Sequence, residues 1–576
     1  MERGEPLFAA NTTARGRAHP TAATIANIGD ISLESDEGRD RGLRPPTGDQ
    51  STIMASPTIV EEKKHEQKKY DKFKKYTFTA AAMSSTVEAY ATILPVIFQV
   101  FFVFTMGHVD EAFASGIPTL RGIIFNLSIF LGIPIGSIIA AHLSRKSNDK
   151  NVACGFMFLI FLGVLPTTLA DTGLSIPFLP VMISFRAITG IGIGGCRAIN
   201  ALTSVRVATP KWRGLRMTYI GANSAIGYMA AIVSGIGALW IWGGSVSHIS
   251  ATDCDENCRI EMDKCWRLVS GTLMLSILFA LTTRIMSSRK SPHPENTSRV
   301  ILKFSPPFIQ FTRNYRRHNR YMYPLVHLCV IALLSSATFY AMLFNLRLIL
   351  EKIHFAPTVL PESYQSARPL NDNFAEYTVT EYVRRMLLGF LVIVGLGIIL
   401  GYIILGALVD VWGRKRLLIS SHIFLCVLFS VLAGCWELLS MEGSLGLVCI
   451  AFLLQVTGPI GIGYVYAAEL FPRAYRHWCF LLVDMFGCLG AILGISAGTA
   501  VMHSGPVSSH KFGGIRAAWC MFAVCAFCGL VSTMGLVETA RKEIGVIEGE
   551  CYGDWGKWGD RRRMRPEGAG ADESEA

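Results

Sequence analysis

Four ionisable residues stand inside long apolar runs: Glu88 in STVEAYATIL, Arg186 and Arg197 in RAITGIGIGGCRA, and Asp484 in CFLLVDMFG. A charge in such a setting is costly to keep, so each is a functional hypothesis with proton relay or recognition of a charged solute as the chemistry on offer. A second concentration, LGALVDVWGRKRLLIS, packs Asp410, Arg414, Lys415 and Arg416 between two apolar runs. Weaker candidates are single polar residues on apolar stretches: Tyr90, Asn223, Tyr340, Asn345, Gln455 and Tyr466. Most residues of that kind are interhelical hydrogen bonders. Arg347 is a further candidate, set near an interface.

The elements that position these residues follow from composition. Of 576 residues 51% are hydrophobic and 17% charged, against roughly a quarter charged in soluble domains. Apolar runs long enough to cross a bilayer recur. The spacing predicts twelve spans: 77–105, 118–141, 151–170, 177–204, 217–243, 266–286, 322–349, 384–409, 417–438, 444–466, 478–502 and 516–537. Lys and Arg crowd 61–76, 145–150, 211–216, 414–416, 473–476 and the central loop 287–321. By the positive-inside rule these segments and both termini are cytosolic. Residues 1–76 are a polar tail ending in a basic juxtamembrane segment, suited to anionic lipid, and 538–576 form a second tail. The expected domains are a six-helix bundle over 77–286 and another over 322–537. The net charge of +11 is that of cytosolic loops, with no cluster pointing to nucleic acid.

Cys254, Cys258 and Cys265 fall in the loop expected at 244–265. One disulfide plus one thiol, three free thiols and a metal site are the alternatives; no fourth ligand is evident and no metal is assigned. Asn11, Asn126 and Asn296 begin Asn-x-Ser/Thr triplets that this topology keeps from glycosylation. Gly190, Gly192 and Gly195 satisfy G-x-G-x-x-G, but no strand precedes them. With Gly194 they read as close helix packing, not a dinucleotide loop. The phosphate-cradling loop of an ATP-driven pump, a zinc-protease helix and a nucleophile elbow are missing from the sequence, so the reading is not an enzyme and needs no cofactor.

GALVDVWGRKR (406–416) is similar to the G-x-x-x-D-x-x-G-R-[KR] loop of the major facilitator superfamily. RAITGIGIGG resembles its fourth-span motif, AAELFPRAYR (467–476) its E-x-x-P-x-x-x-R after the tenth span, and VETARK (537–542) a worn sugar-porter end. The chain therefore resembles that superfamily, in the branch of sugar porters, phosphate:proton symporters, organic-ion transporters and synaptic-vesicle-like proteins. The resemblance implies an all-α membrane protein of twelve transmembrane helices in two six-helix bundles. It implies a cytoplasmic gate of Asp410, Gly413, Arg414, Lys415, Glu469 and Arg476, with Arg145 and Arg213 as first-half counterparts. In that half Ala141 and Ser144 stand where the motif has Asp and Gly, and the expected Glu is missing, with Arg206 near its place. Glu88 resembles the acid of the phosphate symporters' Asp-Ala-Tyr. Proton-coupled relatives pair such an acid with the fourth-span arginine, which here implies Glu88 with Arg186; a static buried ion pair is the equal alternative. Cys196 replaces the phosphate symporters' fourth-span acid and Arg197 follows it. Asp484 lies one turn from the organic-cation transporters' acid, a place held by Cys488. Arg197 favours an anionic solute group and Asp484 a cationic one.

The expected function is secondary active transport of a small polar solute, proton-coupled, by a monomer in the plasma membrane, with vesicle or vacuole as alternatives. A facilitative uniporter or exchanger, and a sensor that keeps the fold without transport, remain open. The partners are solute, protons and lipid.

Overall fold

Backbone amides have no water to bond in a bilayer core, so an apolar chain satisfies them within helices. The computed structural model describes residues 57–105, 120–146, 149–170, 178–207, 212–251, 254–289, 319–356, 377–471, 475–503 and 514–542. It contains twelve helices long and apolar enough to span a membrane. They are α1 (Pro57–Thr105), α2 (Leu120–Lys146), α3 (Asp149–Leu169), α4 (Phe178–Val207), α5 (Arg213–Trp242), α6 (Glu256–Arg289), α7 (Asn319–Phe344), α8 (Val379–Leu408), α9 (Arg414–Cys435), α10 (Met441–Glu469), α11 (Arg476–His503) and α12 (Gly514–Met534). Every span lies within Glu62–Ala576. The tail before 57, residues 290–318 of the central loop, Asn11, Asn296, Pro210 and the tail beyond 542 lie outside the described residues. So do the side chains of Arg145 and Arg206.

Many boundaries differ from the sequence reading, and those of α6, α7 and α8 have a visible cause. α6 begins at Glu256, not 266, because the Asp255 carboxylate accepts the Cys258 N–H at 2.8 Å and caps the first turn; Cys258 and Cys265 are thus helical. Cys254 and Cys258 form a disulfide, while Cys265 is a buried free thiol. α8 starts at Val379, not 384, where the Thr378 hydroxyl accepts the Glu381 N–H. The seventh span is broken: α7 stops at Phe344, Asn345 departs from helical geometry, and a short helix resumes at Leu346–Lys352. π-Turns interrupt α8 at Ile393–Ile399 and α10 at Val456–Ile460, the latter holding Pro459. Such turns free backbone groups and act as hinges.

α2 lies along α4 and α7 along α11, while α2–α11 and α5–α8 join the first six helices to the last six. The α2–α4 seam is cut by small residues. A Cβ on Gly190 or Gly194 would strike the carbonyl oxygens of Ile129 and Ile133 in α2. Gly192 and Gly195 face α3 instead, against Ile160 and Phe156. Backbones this close gain dispersion contacts that larger side chains would prevent.

Candidate functional site

A cavity of about 200 Å³ lies between the two sets of helices, bordered by α1, α4, α5, α7, α8, α10 and α11. Its charged wall residues are Glu88, Arg197 and Asp484. The Arg197 guanidinium from α4 is the hub. Its Nη1 lies 3.2 Å from Asp484 Oδ1 on α11, and its Nε lies 3.8 Å from Glu88 Oε2 on α1. The Arg197–Asp484 pair crosses from the first six helices to the last six. Each carboxylate has further donors. Ser137 from α2 donates to Asp484 Oδ2 at 3.1 Å. Ser84 and Asn200 donate to Glu88 Oε1 at 3.3 and 3.4 Å. Arg284 of α6, itself buried, donates to the Asn200 amide oxygen and extends the chain of contacts. Tyr340 borders the cavity beside Arg197, and Tyr228, Tyr402, Tyr464, Ser85, Ser224, Ser335 and Ser336 supply hydroxyls.

Glu88 therefore faces Arg197, not Arg186. Arg186 stands three turns earlier on α4, roughly 16 Å away along the axis. It is buried, its guanidinium lies over the Phe125 ring, and among the described residues its Nε and Nη2 have no hydrogen-bond partner. Among the sequence candidates Tyr340 joins Glu88, Arg197 and Asp484; the others are engaged elsewhere. The Tyr90 hydroxyl donates to the Val269 carbonyl and bonds Ser234 and Thr272. Asn223 donates to Tyr219 on its own helix, and Gln455 to Thr338. Tyr466 donates to the Val537 carbonyl. Asn345 sits at the α7 break, donating to Ala341 and accepting from Thr499. Arg347 pairs with Glu351 at 2.9 Å, and Tyr382 donates to the same carboxylate oxygen. Asn200, Arg284, Ser137, Glu351 and Tyr382 were missed, since none stands out from its neighbours in the sequence.

Contacts between the two sets of helices lie towards both ends of the bundle. At the end bearing the basic turns, Glu469 Oε1 takes Arg213 Nε at 2.8 Å and Arg414 Nη2 at 3.3 Å. Arg213 belongs to α5, so this contact joins the two sets of helices. Arg414 also lies 2.9 Å from Asp410, whose other oxygen accepts the Leu215 N–H at 2.7 Å. Gly413, at φ 93°, makes the turn. A Cβ there would meet the Glu538 carboxylate, which caps α9 by accepting the Arg414 and Lys415 N–H groups. Thr539 adds a bond to Glu469, and Arg213 Nη2 one to the Lys542 carbonyl. Arg476 donates two hydrogen bonds to the Phe471 carbonyl, and Arg213 supplies a second guanidinium to Glu469. At the opposite end Ser250 pairs with Thr378 in a β-bridge, Thr380 bonds the Gly243 carbonyl, and Phe104 packs edge-on against Tyr382.

Glu469 is fully buried among two guanidiniums. Glu469→Gln leaves them underpaired, so opening at this end becomes easier. A cysteine at Ser224 in the cavity, in a background without exposed native thiols, is expected to react with maleimide at least about tenfold faster, from a shift of about 1.4 kcal/mol or more. Unchanged reactivity would deny the cluster a gating role.

Twelve helices long and apolar enough to span a membrane, packed around a charged cavity, agree with the likenesses to known proteins, which support membrane transport of small solutes. Residues 53–278 match the family described as Sugar (and other) transporter. The chain is 25% identical over 480 residues to the inorganic phosphate transporter PHO84 of Saccharomyces cerevisiae, covering 75% of this chain and 77% of that one. It is 23% identical to the repressible high-affinity phosphate permease of Neurospora crassa, covering 75% and 80%. Its fold superposes on the proton:xylose symporter XylE with a TM-score of 0.60 at 13% identity, over 83% of this chain and 99% of that one. The Escherichia coli fucose:proton symporter FucP gives 0.52 at 14%, over 81% and 99%. These likenesses support a transporter fold of the major facilitator type.

Proposed function

We propose that this chain is a proton-coupled symporter of a small anion, with inorganic phosphate the first candidate. The observation that carries the reading is the Arg197 guanidinium, held in the cavity between two carboxylates from opposite sides. The names of the phosphate-transporting relatives support it. The formal charges of Glu88 and Asp484 cancel those of Arg197 and Arg284. A monoanion docking on Arg197 adds one negative charge, and one proton on the carboxylate pair restores neutrality. That proton also loosens the grip on Arg197, giving the anion its place. Glu88 and Asp484 share one guanidinium, so the pair as a unit carries the proton. Releasing Asp484 from Arg197 removes a link between residues 77–286 and 322–537. These two bundles then rock about the cavity, with the basic end and both termini in the cytosol and the plasma membrane as the site.

Counterflow in proteoliposomes tests this: preloaded phosphate should draw in labelled phosphate, while sulfate, xylose and an organic cation should not. In Glu88→Gln/Asp484→Asn, counterflow is expected to persist while accumulation driven by a pH gradient stops. A coupled phosphate symport is refuted if phosphate shows no counterflow, or if the double variant still accumulates. The hydroxyl-rich wall of tyrosines and serines favours a neutral polyhydroxylated solute as the second reading, and xylose-only counterflow would select it. No counterflow with any solute would favour a sensor.

A further inference from the structure

We propose that a second pocket, at the basic end, binds the phosphate-bearing headgroup of an anionic membrane lipid. The pocket has a volume of about 320 Å³ and lies between the α8–α9 turn and the segment after α12. Lys415, Arg416 and Arg541 line it, with Asp410 and Glu538. The two acids are already engaged. Asp410 holds Arg414 and the Leu215 N–H, and Glu538 holds the N–H groups of Arg414, Lys415 and Ala540. The three cations outnumber the two acids, and their own bonds run to neutral acceptors: Lys415 donates to the Met534 carbonyl and Arg541 Nε to the Asp410 carbonyl. Among the described residues no ion pair engages Lys415, Arg416 or Arg541. Three cations around one concavity fit a phosphate group.

The rim decides between a lipid and a free anion. Val411 and Trp412 line the same pocket and are 66% and 54% exposed, at the mouth of α9 where the chain enters its apolar span. A tryptophan at that level is the ordinary anchor of a membrane interface. A headgroup carried on acyl chains meets both the cations and the apolar rim, whereas free phosphate uses the cations alone. The pocket shares Asp410 and Glu538 with the contacts at this end of the bundle, so a bound headgroup braces that end.

The test uses purified full-length protein stripped of lipid and supplied with phosphatidylglycerol, phosphatidylcholine or inorganic phosphate. Phosphatidylglycerol is expected to raise the melting temperature by several degrees and to remain bound in native mass spectrometry, with phosphatidylcholine doing neither. Trp412→Ala/Arg416→Gln, both exposed and outside the ion-pair cluster, should melt like the parent in phosphatidylcholine and lose at least half of the phosphatidylglycerol effect. Equal stabilisation by the two lipids, or a full effect in the double variant, overturns the proposal. So does stabilisation by phosphate alone that matches the lipid in an Arg197→Gln background, where the central cavity has lost its guanidinium and only a free-anion site here would respond.

Discussion

Arg197→Gln is expected to lower phosphate uptake by about 100-fold or more. The Arg197–Asp484 pair is part-buried; truncating one member of a fully buried charge pair costs about 2–5 kcal/mol, each 1.4 kcal/mol is tenfold, and here the loss of the anion's own anchor adds to a share of that cost. Two losses combine at this position. The anion loses its guanidinium, and Glu88 and Asp484 keep negative charges that repel it. The same uncompensated carboxylates burden folding, as removal of one partner from a buried ion pair does. Arg197→Gln/Asp484→Asn separates the two effects. Removing the orphaned aspartate restores yield and melting temperature toward the parent, while uptake stays lost. If the double variant transports phosphate at more than about a tenth of the parent rate, Arg197 is not the anion's anchor and the cavity has been misread.

The second large effect concerns assembly. Gly194→Leu places its Cβ on the carbonyl oxygen of Ile133, a backbone atom with no rotamer to yield. α2 has little room to retreat, because Gly190, Gly132 and Gly136 mesh with the same seam. Overpacking of this kind costs about 1–3 kcal/mol and occasionally more. Here it also shifts Ser137, which bonds both the Gly194 carbonyl and Asp484. Monodisperse yield should fall several-fold and the melting temperature by several degrees. Gly155→Ala on α3, where an added Cβ meets nothing within 4 Å, is the control and should behave as the parent. An unaltered Gly194→Leu protein would show that the seam is loose.

The twelve spans were readable because lipid imposes one rule on every crossing segment, an apolar run of sufficient length. Glu88, Arg197 and Asp484 were readable for the converse reason, as charges that lipid penalises. Their pairing was not. Arg186 and Arg197 share one helix, and their difference in depth decides which meets Glu88; depth depends on how α1 and α4 slide past each other, which no motif records. Tyr90, Asn223 and Gln455 were poor guides because a polar residue on a helix does not reveal which way it turns. The α7 break at Asn345 is flanked by apolar residues that read as one span. Glu469 stood out by motif, yet its cross-bundle partner Arg213 became evident only once α5 and α10 were seen side by side.

Most direct for the central claim is proton counting during phosphate entry. Proteoliposomes loaded with a pH-sensitive dye are clamped at zero membrane potential and buffered on both sides well below the second pKa of phosphate, so that the entering monoanion releases no proton of its own, and labelled phosphate is added outside. Internal acidification should track phosphate entry at the single-proton ratio that keeps the four-charge cluster neutral, and Glu88→Gln/Asp484→Asn should abolish it. Phosphate entry with no accompanying proton, or the same proton flux in that double variant, would contradict the account.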